Sequence, residues 1–507
     1  MGRDQELDIV GGSGLPLTRR RILQSAGIAL AATAFPAPSN LAAQTTTGST
    51  GSAISDVMAR LSGYMSEART RALPDEVVAK AKEHIIDTLA AMVSGSELLP
   101  GKAAIKFARV YGGQKVSTVV GSTVLCGPIE AALANGVMAH ADETDDSWFQ
   151  QGWHPGANVV PAALATGERF GITGTEFLRA VVLGYDVGAR VVMTLRPSLL
   201  EPHSMVGTFA AAAAAGSAAK LTAQQMRWLL DYAAQQASGY QAWGRDVDHI
   251  EKGFVFGGMP ARNGVTSAVL VHAGWNGIDD GLSGEGNFIL MCAPKADPAG
   301  LVDQLGARYD VTRTNMKKWS VGTPIQAPLD ALEIISKRRA FTADDVKEVT
   351  VRMAAASVVD NRDMPDINIQ YMIAVMLVDK TATFKSAHDK ARMQDPTILR
   401  HRAKVKLVVP PGMSAASFSR AAFVTVVLND GTELSENVEA VLGTLTNPMS
   451  REQLEAKCRD LMAPVVGTDR CNRLIETIFT IEKMNDVRGL RPLLQQREAA
   501  TRTSRSR

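Results

Sequence analysis

Small apolar residues at helical spacing restrict the fold of this chain more than any other feature of its sequence. From residue 54 to residue 307, apolar side chains recur every three or four positions, with short turns containing Gly or Pro between the runs. The run at 209–218 is mostly Ala, and aromatic residues are only 5% of the 507-residue chain. Small side chains let helices pack closely, and a shortage of aromatic residues disfavours a β-sandwich. We therefore predict helices at residues 77–93, 128–140, 174–190, 223–237 and 261–274.

The pattern changes near residue 309, where β-branched runs begin to alternate with helical segments. Runs typical of strands lie at 349–353, 403–409 and 421–428. The Asn-Asp-Gly-Thr turn at 429–432 predicts a hairpin that continues into a strand at 433–434. Helical spacing lies between these runs and after them, at 324–337, 368–379 and 451–484.

These patterns predict a mostly α fold, in which a smaller α+β domain, here named the lid domain, is inserted into a large all-helical domain. The boundaries that we predict are a signal peptide and linker at 1–52, the helical domain at 53–308, the lid at 309–440, C-terminal helices that pack on the helical domain at 441–495, and a disordered tail at 496–507.

The first 52 residues have the pattern of an export signal followed by a linker. Arg19, Arg20 and Arg21 precede a short apolar run at 26–35, and small residues follow it up to residue 44. Paired arginines before a modestly apolar run resemble a bacterial twin-arginine signal. We predict a periplasmic protein exported by that route, with no membrane association after signal removal. The alternative is a disordered, positively charged N-terminus.

Composition disfavours several classes of function. The formal net charge is only +2, and the chain has no long basic block before its last few residues, so we expect no nucleic-acid partner. The four cysteines are scattered and form no Cys-x-x-Cys pair, which disfavours a zinc ribbon or a redox motif. We expect them to be buried free thiols.

The stretch His-Ala-Asp-Glu-Thr-Asp-Asp-Ser at 140–147, followed by His154-Pro155-Gly156, concentrates the chemistry of the chain. It lies where one predicted helix ends and another begins, so a loop there can present a base, an acid and an electropositive helix terminus together. A calcium loop needs a different spacing of Asp, Asn and Gly. From the residues alone, acid/base catalysis, a metal site and a solvated acidic loop all remain open.

Together with motifs elsewhere in the chain, this stretch resembles the MmgE/PrpD family, in which His-Ala-x-Asp-Phe-Asp-Asp-Thr is followed by His-Pro. The resemblance extends from about residue 54 to residue 494. The other motifs follow in the order of the family: His84-Ile-Ile-Asp87, Gly184-Tyr185-Asp186, His203-Ser-Met-Val-Gly207, Gly258-Met-Pro-Ala-Arg262, Lys317-Lys318-Trp319, Gln370-Tyr371 and Ile481-Glu482-Lys483-Met484.

The resemblance implies a lyase or epimerase that moves a proton next to a carboxylate of a small di- or tricarboxylate. It also implies that the α+β domain forms a lid and that the active site lies in the cleft between the two domains. The protein is further expected to be a homodimer that needs no metal and no organic cofactor. Loss of hydroxide, loss of carbon dioxide or return of the proton then gives dehydration, decarboxylation or epimerisation. Within the family, the subclass that we expect is a hydro-lyase similar to 2-methylcitrate dehydratase.

The resemblance also assigns roles to residues of this chain. His154 and His203 are expected to transfer protons, Glu143 to orient or polarise the substrate, and Tyr371 to donate a proton or a hydrogen bond. The expected substrate-binding residues are Ser147, Lys317, Lys252 and Gln326. Structural roles remain open for three of these residues: His203 can cap a helix, Tyr371 can be a core residue, and Lys317 can be one of an ordinary solvated lysine pair.

The chain departs from the family pattern at several positions. Glu143 and Ser147 stand where the family usually has Asp and Thr, and Lys252 is one residue out of register. At 321–326 the chain lacks an arginine and a histidine that the family keeps, which suggests a less anionic substrate or one held differently. Two other functions therefore stay open: a silent periplasmic carboxylate-binding protein, and a metal-dependent hydrolase. The latter would use Asp142, Glu143, Asp145, Asp146 and His154.

Overall fold

The computed structural model describes residues 54–148, 150, 153–195, 201–354, 356–411 and 420–496. The predicted export signal and the predicted C-terminal tail from residue 497 onward lie outside the described residues. Among the described residues, no helix is both long enough and apolar enough to cross a membrane.

Helices dominate the structure, as the sequence predicts. The first part of the chain contains α1 (Asp56–Glu67), α2 (Asp75–Gly95), α3 (Leu99–Tyr111), α4 (Pro128–Ala139), α5 (Pro155–Phe170), α6 (Gly174–Leu195), α7 (Pro202–Ala218), α8 (Ala223–Gln236), α9 (Ile250–Gly253), α10 (Met259–His272) and α11 (Phe288–Cys292). Short strands β1 (Ser117–Thr118) and β2 (Leu125–Cys126) pair with each other, and β3 (Ser147–Trp148) pairs with β4 (Thr314–Asn315). Helix α7, the Ala-rich run, is buried along most of its length and packs against α5, α6 and α10.

The second part of the chain is α+β and contains a four-stranded sheet. Its helices are α12 (Thr323–Arg338), α13 (Ala356–Val359), α14 (Ile369–Asp379), α15 (Phe384–Ala387) and α16 (Pro396–Arg402), and its strands are β5 (Val346–Arg352), β6 (Val405–Val408), β7 (Ala422–Leu428) and β8 (Glu433–Val438). The strand order is β6-β5-β7-β8, with β5 and β6 parallel and the other pairs antiparallel. The predicted hairpin is confirmed, because Val427 pairs with Glu433 across the turn.

The buried apolar side chains form two clusters. The larger cluster takes its members from residues 58–316 and again from 449–494, where α17 (Arg451–Val466), α18 (Thr468–Phe479) and α19 (Arg491–Leu494) lie. The smaller cluster takes all its members from residues 319–441. The fold is therefore mostly α with two domains, each built around its own core. We call the part around the smaller cluster the α+β domain.

A π-helical segment, Phe254–Gly258, joins α9 to α10 without a break. A π-turn accommodates one residue more than an α-turn, and such turns occur often at functional sites. Such an extra residue would account for the one-residue shift that the family resemblance implies for Lys252. The π-segment lies against α4, where Gly257 and Gly136 approach so closely that a Cβ on either would overlap the backbone of the other.

Replacing Gly257 with Ala is expected to lower the free energy of unfolding by about 1–3 kcal/mol, because the new methyl group meets the backbone of Gly136. The matched control is Gly63→Ala in α1, where an added Cβ meets nothing within 4 Å. That variant should be neutral or stabilised by up to about 1 kcal/mol. Urea midpoints measure both effects, and equal midpoints for the two variants would contradict the close packing of α4 on the π-segment.

Candidate active site

The segment that follows α4, residues 140–148, is buried along its whole length, and we call it the acidic loop. It carries Asp142, Glu143, Asp145 and Asp146, and their exposed fractions are 0%, 4%, 0% and 0%. A solvated acidic loop, one of the alternatives open from the sequence, is therefore excluded. Because buried carboxylates are costly without compensation, each must find a cation or hydrogen-bond donors.

Glu143 is held between two lysines from distant parts of the chain. Lys252 of α9 forms a short ion pair with one carboxylate oxygen, and Lys317 Nζ lies 3.3 Å from the other. Lys317 Nζ also donates to the carbonyl oxygen of Glu143 at 2.7 Å. Burial opposes ionisation of Glu143, but the charges of Lys252 and Lys317 outweigh it and hold its pKa well below the ordinary value. Glu143 also has a positive φ of 58°, a conformation that costs energy for a residue other than Gly.

Asp145 binds two histidines. Its carboxylate oxygens lie 3.0 Å from Nδ1 of His140, and one of them lies 3.3 Å from Nδ1 of His154. Burial opposes its ionisation, but His140, His154 and the nearby Lys317 together lower the pKa of Asp145 well below its usual range. For His140, burial outweighs the attraction of Asp145 and lowers the pKa to about 3. His140 is therefore a neutral ring at physiological pH.

The ring orientation of His154 is set by the hydrogen bond that Nδ1 donates. Nδ1 lies 2.6 Å from the carbonyl oxygen of Asp146, and a carbonyl can only accept, so Nδ1 carries a proton. In the neutral ring, Nε2 then holds the lone pair and is the atom suited to take a proton. His154 is also the N-cap of α5, at the electropositive end of that helix.

His203 is oriented by a carboxylate in a similar way. Its Nδ1 lies 2.6 Å from Oε1 of Glu201, the N-cap of α7, and Glu201 is also bonded by the indole N–H of Trp243 at 2.7 Å. Burial opposes ionisation of Glu201, but its hydrogen bond and charge interaction with His203 lower its pKa. Proton transfer between His203 and a ligand would therefore use Nε2. The sequence analysis left open that His203 caps a helix. His203 does lie in the first turn of α7, but its side chain hydrogen-bonds to Glu201.

Phe256 of the π-segment brings the three imidazoles together. Its ring stacks on His203 with centroids 3.6 Å apart and on His140 with centroids 4.5 Å apart, and it lies 5.6 Å from His154. The rings of His154 and His203 are 5.7 Å apart. Two of the residues predicted to transfer protons therefore lie side by side, next to the Glu143 ion pairs.

The other two acids of the acidic loop fix its backbone. Asp146 accepts hydrogen bonds from the hydroxyl of Tyr185 at 2.5 Å and from the backbone N–H of Gly156 at 2.8 Å. Asp142 accepts from the hydroxyl of Ser94 at 2.9 Å and from the N–H of Thr144, and burial raises its pKa to about 8 despite these bonds. These two carboxylates hold the loop in place rather than point at a ligand.

A second buried array lies beyond Lys252. Nε2 of His249 lies 2.9 Å from Oδ2 of Asp366, and Nε2 of His388 lies 3.8 Å from the same oxygen. His249 precedes α9, whereas Asp366 and His388 belong to the α+β domain. Burial opposes protonation of His249, but Asp366 outweighs it and raises the pKa of that histidine. This array joins the two domains beside the candidate site.

Two of the predicted site residues are not brought to this cluster. Tyr371 is fully buried in the smaller apolar cluster, and its hydroxyl donates to the carbonyl of Ser386 at 2.7 Å. Gln326 receives the N–H of Trp319 at 3.1 Å and donates to the carbonyls of Trp319 and Val321 at 2.7 and 2.9 Å. Both side chains are occupied by backbone groups, so this geometry supports a structural role for each instead of contact with a substrate.

The remaining predicted residue, Ser147, lies in β3 and is fully buried. Its hydroxyl oxygen accepts a hydrogen bond from Nη2 of Arg420 at 3.1 Å.

Four residues of the candidate site were not selected by the sequence analysis: Arg420, Glu201, Phe256 and His140. Glu201-Pro202-His203 carried a detectable signal, because an acid before a Pro at the first helical position is a typical helix start. Phe256 and Arg420 had no such signal.

A metal ion is a poor fit to this arrangement. Among the described residues, one group has ligand atoms close enough together to hold a metal ion: His140, Asp145 and His154. Both histidines present Nδ1 to oxygens of the acidic loop, and Lys317 Nζ lies 3.7 Å from Asp145, where a second cation would be repelled. The other acids of the hydrolase hypothesis, Asp142 and Asp146, bind Ser94 and Tyr185 instead.

Two domain models of one protein family match this chain. The model of the MmgE/PrpD N-terminal domain matches residues 59–300, and that of the MmgE/PrpD C-terminal domain matches residues 319–482. Human cis-aconitate decarboxylase is 26% identical over 450 residues, which cover 83% of this chain and 91% of the human protein. The cis-aconitate decarboxylases of Aspergillus terreus (strain NIH 2624 / FGSC A1156) and Mus musculus are 24% and 25% identical. Each alignment covers 87% of this chain, and 96% and 94% of the relative, respectively.

The lowered pKa of His140 predicts a specific loss of stability in acid. The unfolded chain protonates this histidine near pH 6.5, whereas the folded protein keeps it neutral down to about pH 3. Between these values the unfolded state binds one proton more, so stability falls by about 1.4 kcal/mol for each pH unit as the pH drops. In His140→Gln this contribution disappears, while the amide can still donate to Asp145. Urea titrations between about pH 7 and pH 5 measure the two slopes, and identical slopes would contradict a neutral His140.

Proposed function

Because the chain belongs to the MmgE/PrpD family, we propose that it is a lyase that transfers a proton next to a carboxylate of a small di- or tricarboxylate. The names of its relatives favour decarboxylation, since the relatives described above are cis-aconitate decarboxylases. They do not bear on the expected similarity to 2-methylcitrate dehydratase, which remains a prediction. The proposal includes independence of metals and organic cofactors.

The observation that carries the proposal is the pair of imidazoles beside a pair of lysines. His154 and His203 each have Nδ1 bound to an oxygen, which orients Nε2 for proton transfer. Lys252 and Lys317 meet at the carboxylate of Glu143, so a substrate carboxylate can bind there by competing with Glu143 for the same ammonium groups. A binding protein has no need of two oriented proton-transfer groups.

The chemistry follows from the electrostatics of this buried cluster. When carbon dioxide leaves, the electrons of the broken C–C bond stay on the substrate as an enolate-like charge. Buried ammonium groups aimed at that charge stabilise it more strongly than water does, because they need not reorganise. A histidine that carries a proton on Nε2 then donates it to the carbon, and the neutral Nε2 can take a proton in the reverse sense.

The test is a panel of hydroxy-, amino- and unsaturated di- and tricarboxylates, cis-aconitate among them, incubated with the mature protein in D₂O and followed by proton NMR. We expect deuterium incorporation or carbon dioxide release with at least one compound, and the product identifies decarboxylation, dehydration or epimerisation. Binding without exchange across the panel would instead favour the carboxylate-binding protein. Stoichiometric metal in the active purified protein would overturn the metal-independent mechanism.

Variants of neighbouring residues provide the control for this test. His154→Gln and His203→Gln should reduce turnover by at least about 100-fold, because each removes a proton-transfer group. Lys317→Gln should do likewise, since Lys317 binds Glu143, whereas Lys318→Gln should retain activity because Lys318 binds Glu333 on the surface of α12. Circular dichroism checks that each variant is folded. Equal effects of the two lysine variants would contradict the site assignment.

We further propose that the protein is exported to the periplasm by the twin-arginine route and acts there as a homodimer. The paired arginines of the N-terminus support export, and the family resemblance supports the dimer. Cell fractionation of the full chain should place it in the periplasm, with a shift to the cytoplasm when Arg19, Arg20 and Arg21 are changed to Lys. Light scattering of the mature protein should give twice the mass of one chain, and a monomer would contradict the second part.

A further inference from the structure

Arg420 reaches the acidic loop from the α+β domain. It lies two residues before β7, its side chain is partly buried, and its Nη2 donates to the hydroxyl of Ser147. Ser147 directly follows Asp146, whose carbonyl anchors His154. Ser147 also pairs in register with Asn315, two residues before Lys317. The guanidinium therefore contacts a residue of β3 that is adjacent in sequence to Asp146 and is paired with the strand that precedes Lys317.

The charge of Arg420 has no acidic partner in the described part of the chain. Lys252 and Lys317 are matched by Glu143 and Asp145, but no described carboxylate lies within ion-pair distance of Arg420. Burial alone lowers its pKa to about 10, so the group stays charged at neutral pH. A guanidinium removed from water normally requires an anion, and a serine hydroxyl supplies only one neutral acceptor.

A carboxylate is the anion whose shape fits this group. The planar guanidinium offers two parallel N–H groups to two carboxylate oxygens, which binds that group strongly and in one orientation. Gln326, the residue expected from the sequence to bind substrate from the α+β domain, has its amide engaged by backbone groups of Trp319 and Val321. Arg420 belongs to the same domain and supplies the positive charge that the neutral amide of Gln326 lacks.

We propose that Arg420 binds a second carboxylate of the substrate, while the first lies at Lys252 and Lys317, and that Ser147 positions the guanidinium for this contact. The inference rests on the proposed function and makes it more specific, because it assigns the residue that binds the second carboxylate. Because Arg420 comes from the α+β domain and the acidic loop from the helical domain, such a substrate bridges the two domains.

The experiment compares succinate with succinamate, in which an amide replaces one carboxylate, by calorimetric titration of the mature protein. Arg420→Met should weaken succinate binding by about 10- to 100-fold, the loss expected for a charged hydrogen-bonded contact. Succinamate binding should change by less than about two-fold, because the amide never makes that contact. Arg420→Lys should recover part of the loss, since it restores the charge without the fork.

Arg352→Met is the matched control, because it removes the same charge from an exposed arginine on the neighbouring strand β5. It should bind both ligands as the wild type does, and thermal melting checks that all variants are folded. Equal weakening of both ligands by Arg420→Met, no weakening, or no binding of succinate to the wild type at millimolar concentration would each overturn the proposal. Selective weakening together with no turnover across the carboxylate panel would instead leave the second-carboxylate site standing and remove the lyase function.

Discussion

Compensation of the buried charges on the acidic loop is the constraint on which the rest of this structure depends. Four acidic side chains lie between residues 142 and 146, and none is more than 4% exposed. Burial raises the pKa of Asp142 to about 8, so three of the four are charged at neutral pH. Removing one partner of such a buried pair typically costs about 3–5 kcal/mol, because the other charge stays unpaired. The partners come from α2, α5, α6, α9 and the segment after β4, and Lys457 of α17 adds a hydrogen bond to the carbonyl of Thr144 at 2.9 Å. The loop therefore adopts its conformation only when these distant segments are assembled.

The π-segment shows how the chain accommodates an extra residue without losing the site. An added residue in a regular α-helix would rotate everything before it by about 100° relative to everything after it. Here the extra residue is absorbed between Phe254 and Gly258, so α10 keeps its packing against α7 while Lys252 still reaches Glu143. The absence of a Cβ at Gly136 and Gly257 lets this wider turn lie against α4. The same segment places Phe256 between the imidazoles.

The candidate site draws its groups from both domains. The helical domain supplies the imidazoles of His154 and His203, which suit proton transfer, while Lys317 and Arg420 from the later part of the chain supply cations. The array of His249, Asp366 and His388 joins the domains close to this boundary. A ligand with several carboxylates would place negative charge next to cations from both domains. The proposed substrate class is related to the architecture in this way.

The sequence by itself determined the mostly α fold, the hairpin of the α+β domain and the position of the acidic loop, because helical spacing, turn residues and charge density are local signals. It also identified His154, His203, Glu143, Lys252 and Lys317, which the structure brings together. Only the tertiary structure decided that Tyr371 and Gln326 bind backbone groups, and that His140, Glu201, Phe256 and Arg420 belong to the site. The reason is physical: whether a polar side chain meets a ligand or a backbone carbonyl depends on which distant segment packs against it, and no local pattern records that contact.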